Sequence, residues 1–571
     1  MRRSALVRVL LAVTVVVGWV AVPTGWSVAA PVTAPDARTS PAAADPAASL
    51  TAEANALRPV FDRAAAEFDV PVELLHAIAF VGSRWRQLGP TTGEEHGHEH
   101  PPGTLQPSSY GLMGLRDDDW FGHSLRDAAA AIGATPAELT MRPEPNIRGA
   151  AALLAKYANG LTRADRPERW EPAVARLSGI PQRDVAQIHT YDVLNAIRLG
   201  RVSPDYRVAQ RDVDLAAVYG ARRLAELSGP TMTVQSADYP PGIWNPAASC
   251  NFGVGRSAAI THVAIHITEG SYAGAISWFK NCASGVSAHY VVRSSDGQVT
   301  QMVLESNTAW HVASHNSYSI GIEHEGFANN CGYYTQAMYD SSAALVRDIS
   351  ASRGISRDGA YDGCVGGDEI PPSSRWKIKG HTNFPTTKPC PGGCWDWHNY
   401  RNKVLNNCTV VGAIYGKWRE LGGQCGQMRA CTTNELPTPN GRGRYTHFQF
   451  GSIYWTSTTG AHAVWGDIRA KWESLGWENS RLGFPLTDEI TTPDGRGRFN
   501  HFEGGSIYWT PQTGAHPVWG DIRAKWESMG WERSCLGYPT SDEIPTPTGV
   551  IQHFERGSIS WTPGGGAVSS C

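Results

Sequence analysis

HVAIHITEG, residues 262–270, has the pattern that indicates the fold of the middle of the chain. It is a short apolar and β-branched run with His266 near its end, which is typical of a buried strand. Similar runs follow at residues 289–292, 299–303 and 320–323. Residues 337–352 have helical spacing among these runs. We therefore predict an α/β domain over residues 231–410, with a mixed central sheet flanked by helices.

The sequence before this domain has a helical pattern. Leu57, Phe61, Ala64 and Phe68 recur at three- and four-residue spacings, and apolar residues continue in the same way further along. We therefore predict a helical region over residues 50–230.

The N-terminus has the pattern of an export signal. Arginines precede an apolar run at residues 9–22, and Ser27, Val28 and Ala29 supply the small residues of a cleavage site. A membrane anchor is the alternative, but the run is shorter than the roughly 20 apolar residues of a spanning helix. We predict a signal peptide over 1–29, an Ala/Pro-rich linker over 30–49, and a secreted, extracellular or cell-wall-associated protein with no membrane span after signal removal.

Composition limits the class of protein and its partners. A chain of 571 residues exceeds a single core and calls for several modules. Lys plus Arg (50) nearly balance Asp plus Glu (53), so no basic field favours nucleic acid. If one of the 11 cysteines binds metal, ten remain for five disulfides, which suits an oxidising exterior. Pairing of sequence neighbours is the simplest arrangement, and the connectivity is left open.

The last third, residues 411–571, repeats itself with a period of 54 residues, seen in Trp418, Trp472 and Trp526. We predict small units rich in short strands and turns. The second and third copies contain LGFP at residues 482–485 and LGYP at residues 536–539, and they resemble LGFP repeats. That resemblance implies attachment to a cell-wall polysaccharide. The first copy has MRAC at residues 428–431 instead, which departs from the pattern.

Three residues of the α/β domain form a candidate metal site: His266, His381 and Cys390. Zinc favours imidazole nitrogen and thiolate sulfur in a tetrahedral site, and a catalytic zinc keeps its fourth position for water. With 19 histidines in the chain, spacing alone is a weak signal. The surrounding motifs strengthen it.

Five motifs occur in order in the α/β domain: HVAIHITEG, SAHYVV, AWHV, NSYSIGIEHEG and GHTNFPTTKPCPG. Together they resemble the type 2 N-acetylmuramoyl-L-alanine amidases, the family of phage amidase lysozymes and animal peptidoglycan recognition proteins. The resemblance implies a Zn²⁺ enzyme that cuts the bond between N-acetylmuramic acid and L-alanine in peptidoglycan. It places the zinc ligands at His266, His381 and Cys390, the acid/base carboxylate at Glu323 and a catalytic lysine at Lys388.

Other residues in these motifs are assigned to the substrate cleft or to the core. We expect His311 to line the substrate cleft, with a core position as the alternative, and we also assign Asn316 to substrate binding. Some relatives have a catalytic tyrosine where this chain has Ala288, which leaves Glu323 as the acid/base. Alternation along a strand should point His324 away from Glu323.

The helical region has a resemblance of its own. VPVELLHAIAFVGSRW at residues 70–85, together with SSYGLMGL and NIRGAAALLAKYA further on, looks like the soluble lytic transglycosylases, which are lysozyme-like. The position of that family's catalytic glutamate holds Gly82, and glycine cannot protonate a leaving oxygen. Glycan binding without catalysis and an inert helical scaffold both remain open.

Two other function classes compete with a zinc amidase. A recognition protein would bind peptidoglycan without cutting it, but such relatives commonly lose the metal cysteine that Cys390 supplies. A glycosidase would act through the helical region, against which Gly82 argues.

Overall fold

The computed structural model describes residues 46–89, 106–203, 206–229, 236–364, 375–384 and 390–571. The predicted signal peptide, most of the predicted linker and Lys388 lie outside these residues. The described residues from Leu50 onwards belong to one compact unit. Within the described part of the chain, no helix has the length and apolar character needed to cross a membrane.

The helical region consists of eight described helices and one short antiparallel pair of strands. The helices are α1 (Pro46–Phe68), α2 (Val72–Ser83), α3 (Ser124–Ile132), α4 (Pro136–Met141), α5 (Pro143–Tyr157), α6 (Glu171–Ser178), α7 (Arg183–Leu199) and α8 (Leu215–Ser228). The strands are β1 (Arg201–Ser203) and β2 (Tyr206–Val208). Helix α1 begins at Pro46, inside the predicted linker, because proline suits a first helical turn and the alanines after it favour helix.

The α/β domain is built on a six-stranded mixed sheet, as predicted. Its strands are β3 (Ile243–Trp244), β4 (Phe252–Gly253), β5 (His262–Ile267), β6 (Tyr290–Val292), β7 (Val299–Gln301), β8 (Thr308–Ala309), β9 (Ser319–His324) and β10 (Ile378–Gly380). The sheet order is β10-β5-β9-β6-β7-β3, and β4 pairs with β8 separately. Only β6 and β7 are antiparallel in the large sheet. The helices are α9 (Tyr272–Phe279), α10 (Gln336–Arg353) and α11 (Trp397–Leu405).

The helical region and the α/β domain share one hydrophobic core. Leu75 of α2 and Leu194 of α7 belong to the same buried cluster as Ile276 of α9 and Val291 of β6. The predicted boundary near residue 230 therefore separates two sequence patterns but not two cores. The opposite face of the sheet packs on α10 in a second cluster.

Five disulfides join the ten cysteines other than Cys390. The pairs are Cys250–Cys282, Cys331–Cys394, Cys364–Cys425, Cys408–Cys431 and Cys535–Cys571. Pairing of neighbours is correct for the first and last of these and wrong for the other three, because folding brings together loops that are distant in sequence. Cys390, which lies outside all five disulfides, is the cysteine that the sequence assigned to metal.

The repeat region contains three units, each a helix followed by a four-stranded antiparallel sheet. The helices are α12 (Gly412–Glu420), α13 (Gly466–Leu475) and α14 (Gly520–Ser528). The strands are β11 (Leu436–Pro437), β12 (Gly443–Phe448), β13 (Gly451–Thr456), β14 (Gly460–Trp465), β15 (Ile490–Thr491), β16 (Arg498–Phe502), β17 (Gly505–Thr510), β18 (Gly514–Trp519), β19 (Ile544–Thr546), β20 (Gly549–Phe554), β21 (Gly557–Thr562) and β22 (Gly566–Ser569).

The aromatic residue of the LGFP motif connects each unit to the one before it. Tyr538 is fully buried, and its hydroxyl donates to Asp494 of the preceding unit at 2.5 Å. Phe484 occupies the equivalent buried position in the second unit. The first unit follows no other repeat, and there Ala430 replaces the aromatic residue while a disulfide from Cys431 to Cys408 ties the chain down. The departure in the first copy therefore has a structural reason.

Asp488 is expected to make the junction of the first two units sensitive to acid. Burial raises the pKa of this carboxyl, but hydrogen bonds from Lys417 and the Ala463 N–H, together with the His462 ring at 3.6 Å, outweigh burial and lower it to about 2. The stability that Asp488 contributes is therefore present above pH ~4 and is lost as pH falls from ~4 through about 2. Asp488→Asn should cost about 2 kcal/mol at pH 7. Urea unfolding of both proteins across this range measures the difference, and a cost that stays constant down to pH 2 would contradict the assignment.

Candidate metal centre

Three neighbouring strands bring the candidate ligands together. Strand β5 lies between β10 and β9 and runs parallel to both, so the carboxyl ends of all three meet at one edge. His266 and Glu323 are register partners on β5 and β9 and therefore face the same side of the sheet. His381 follows directly after β10. The predicted ligands from distant motifs thus converge at one edge of the sheet.

The spacing of the ligand atoms fits zinc. His266 Nδ1 and His381 Nδ1 lie 3.1 Å apart, and the donor atoms of His266, His381 and Cys390 all lie within 4.8 Å of one another. Two nitrogens bound to the same tetrahedral zinc are about 3.3 Å apart, given Zn–N bonds of about 2.0 Å. The backbone N–H of Ile267 donates to Cys390 Sγ at 2.9 Å, which favours the thiolate form that zinc requires.

Glu323 borders this ligand set. Its Oε1 lies 3.9 Å from His266 Nδ1, and its side chain is 15% exposed. The carboxylate therefore reaches both the ligand side of the histidine and solvent. His324 lies on the opposite face, where it contacts Ser342 and the carbonyl of His266, as alternation along the strand predicted.

His311 lies behind the first ligand. Its Nδ1 is 3.0 Å from Nε2 of His266, the ring nitrogen that faces away from His381. Burial, together with the nearby charge of Arg256, lowers the pKa of His311 to about 3, so the ring is neutral near pH 7. The Nδ1 of a neutral His311 can accept a hydrogen bond from the Nε2–H of His266. The proton of His266 then stays on Nε2, and its Nδ1 can bind metal. The contact therefore favours the tautomer that a zinc ligand needs.

Asn316 supports His311 through the backbone. Its Oδ1 accepts the N–H groups of His311 and Val312 at 2.9 and 2.7 Å. This oxygen is therefore engaged in holding the AWHV turn, whereas the sequence analysis assigned Asn316 to substrate binding.

Gly321 is a residue whose part in the site the sequence analysis missed. A Cβ built on Gly321 would lie 2.5 Å from Cγ of the His311 ring, so only glycine leaves room for that ring above β9. A glycine inside a strand pattern often marks such a close approach, and that signal was present in SIGIEH.

Gly321→Ala is expected to displace His311 and weaken zinc binding. Because Nε2 of His266 would lose its partner, zinc affinity should fall about tenfold. Competition with a chromogenic chelator measures this affinity. Gly253→Ala in β4 is the matched control, since its new Cβ would meet nothing closer than 3.7 Å. Unchanged affinity in Gly321→Ala would show that His311 does not position the ligand.

Two parts of the chain are similar to known proteins. A family profile described as N-acetylmuramoyl-L-alanine amidase matches residues 256–393, and one described as LGFP repeat matches residues 430–480, 482–534 and 536–569. The chain is similar to N-acetylmuramoyl-L-alanine amidase A of Achromobacter lyticus, with 44% identity over 172 residues. That match covers 30% of this chain and 96% of the relative.

Some solved structures are also similar to part of the chain. A selenomethionine AmpD derivative is 21% identical with a TM-score of 0.24, covering 30% of this chain and 99% of that one. The endolysin amidase LysCS from Clostridium intestinale is 20% identical with a TM-score of 0.23, covering 29% of this chain and 96% of that one.

Proposed function

The chain belongs to the N-acetylmuramoyl-L-alanine amidase family, and from this we propose that it uses Zn²⁺ held by His266, His381 and Cys390 to hydrolyse peptidoglycan. The bond cut joins the lactyl group of N-acetylmuramic acid to L-alanine. The observation that carries the zinc proposal is the convergence of two imidazoles and the Cys390 sulfur within 4.8 Å.

Amide hydrolysis requires an activated water, stabilisation of the oxyanion and a proton for the departing amine. Zinc at this site would lower the pKa of a bound water and would act as a Lewis acid on the carbonyl oxygen. The remaining proton transfers fall to side chains of the protein.

Glu323 is proposed as the acid/base. Its carboxylate borders the ligand set, so it can accept a proton from the attacking water and return it to the amine of L-alanine. Lys388, two residues before Cys390, is proposed to add positive charge near the oxyanion. Because Lys388 lies outside the described residues, its role rests on the motif.

His311 and Asn316 are proposed to position the site. His311 orients His266, and Asn316 holds the turn that carries His311. Part of the His311 ring can still border the cleft, as the sequence analysis expected.

The LGFP repeats are proposed to hold the enzyme on a cell-wall polysaccharide, in an extracellular or wall-associated location. Their signature aromatic residues, Phe484 and Tyr538, are fully buried between units. The polysaccharide would therefore contact other residues of the repeat surface, while the motif itself maintains the stack.

Digestion of purified peptidoglycan, with products identified by mass spectrometry, tests the bond assignment. We expect stem peptides with a free L-alanine amine and intact glycan strands. Bound but unchanged peptidoglycan would instead indicate a recognition protein. New sugar ends would indicate a glycosidase and would reject the amidase assignment.

A further inference from the structure

The helical region contacts a loop that supports the metal site. We propose that this contact holds the ligands in place and so increases the affinity for zinc. The inference gives a role to a region for which glycan binding and an inert scaffold were both open. It rests on the zinc site proposed above.

The end of helix α2 is docked on the α/β domain. Asn330 Nδ2 donates to the Ser83 carbonyl at 2.8 Å, and the Tyr333 hydroxyl donates to the Val81 carbonyl at 3.0 Å. These carbonyls belong to the last turn of the helix, where the regular helical hydrogen bonds end, and the Ser83 carbonyl also accepts the Arg86 N–H at 3.2 Å. The α/β domain therefore caps the helix that contains Gly82.

Arg84 strengthens the same contact. Its guanidinium lies between the rings of Phe80 and Tyr333, at 4.2 and 4.0 Å from their centres, and the residue is 5% exposed. Removing the helical region would uncover this surface. The segment next to Gly82 is thus occupied by the protein itself, which favours docking over glycan binding there.

A second contact buries charge between the two regions. Arg293 of the α/β domain is fully buried and pairs with Asp192 of α7 at 3.2 Å. It also donates to the Leu227 carbonyl at the end of α8. Arg293 also pairs with Asp296 of the α/β domain at 2.5 Å, so its guanidinium joins α7, α8 and the α/β domain in one buried network.

The docked loop leads directly to the cysteine ligand. Cys331, between Asn330 and Tyr333, is joined by a disulfide to Cys394, four residues after Cys390. Tyr334, which follows Tyr333 in the same loop, donates a hydrogen bond from its hydroxyl to the Pro391 carbonyl at 3.0 Å. Support from α2 is therefore transmitted through one loop to the backbone around Cys390.

The same loop also packs closely against that backbone. A Cβ built on Gly392 would lie 2.6 Å from the Ala328 side chain, so the loop and the Cys390 segment touch without spare room. Ala328 N–H donates in turn to Glu269, just beyond β5. Movement of the loop would therefore disturb the segments after both Cys390 and His266.

The test is zinc affinity of the full-length double variant Asn330→Ala, Tyr333→Phe, which removes both caps on α2. We expect zinc affinity to fall about fivefold or more. The matched control is Tyr157→Phe, Asn195→Ala, which removes the same groups from parts of the helical region that do not touch the loop. Equal affinity in the two double variants would overturn the proposal.

Hydrogen exchange on the unmodified protein gives a second readout, in case the double variant does not fold. Because coupling is reciprocal, Zn²⁺ should slow amide exchange near residues 80–88 while residues 143–157 remain unchanged. Unchanged amide exchange near residues 80–88 would overturn the proposal that the helical region supports zinc binding. Failure of the unmodified protein to bind Zn²⁺ at all would reject the zinc site itself, so the two failures are distinguishable.

Discussion

Cys390→Ala is expected to abolish zinc binding and peptidoglycan hydrolysis together. The substitution removes the thiolate and leaves two imidazoles, which hold zinc far less tightly than three ligands. We expect hydrolysis to fall by at least about a thousandfold, because both activation of water and stabilisation of the oxyanion depend on the metal. Metal content after dialysis and release of stem peptides are the two measurements.

His553→Ala, a histidine in the third repeat far along the chain from the ligands, is the control for Cys390→Ala. It should keep full zinc content and activity. Retention of one tightly held zinc by Cys390→Ala would mean that other residues form the site. The disulfides should be intact in both variants, since Cys390 is outside all five pairs.

Glu323→Gln is expected to separate catalysis from metal binding. The amide has the size of the carboxylate but cannot accept the proton of the attacking water, so kcat should fall about 10²- to 10⁴-fold. Zinc affinity should change little, because Glu323 is not one of the three proposed ligands. Steady-state rates on purified peptidoglycan, with zinc content measured in parallel, check both expectations.

Glu420→Gln on helix α12 is the matched carboxylate control, since Glu420 is 65% exposed and pairs with Lys417. It should retain wild-type kcat. A Glu323→Gln protein with unchanged kcat would remove Glu323 from the mechanism and direct attention to Lys388.

Part of the candidate metal centre could be expected from the sequence, because His266 and Glu323 lie near the ends of two predicted strands. Parallel strands carry their carboxyl ends to one edge, so His266, Glu323 and His381 had to meet if β5, β9 and β10 were neighbours. What sequence could not supply was the support behind them. The contact between His311 and His266, and the room that Gly321 provides for it, depend on how far a turn folds back over the sheet.

The relation between regions was harder to predict. The helical pattern of residues 50–230 was recognised in the sequence, but periodicity does not reveal which neighbour covers an apolar face. Three of the five disulfides likewise join cysteines that are not consecutive in the sequence, and their approach depends on tertiary packing. The repeat period was read correctly, whereas burial of Phe484 and Tyr538 between units became clear only from the structure.

Zinc titration of the metal-free protein would show whether hydrolysis depends on the proposed metal site. The chelator-treated chain would receive Zn²⁺ in steps while release of free L-alanine amines from peptidoglycan is followed. If the proposed zinc site is correct, no L-alanine amines are released before zinc is added, and full activity is reached at one zinc per chain. Cys390→Ala stays inactive throughout. Full activity in the metal-free protein, or equal recovery in Cys390→Ala, would contradict the proposed zinc site.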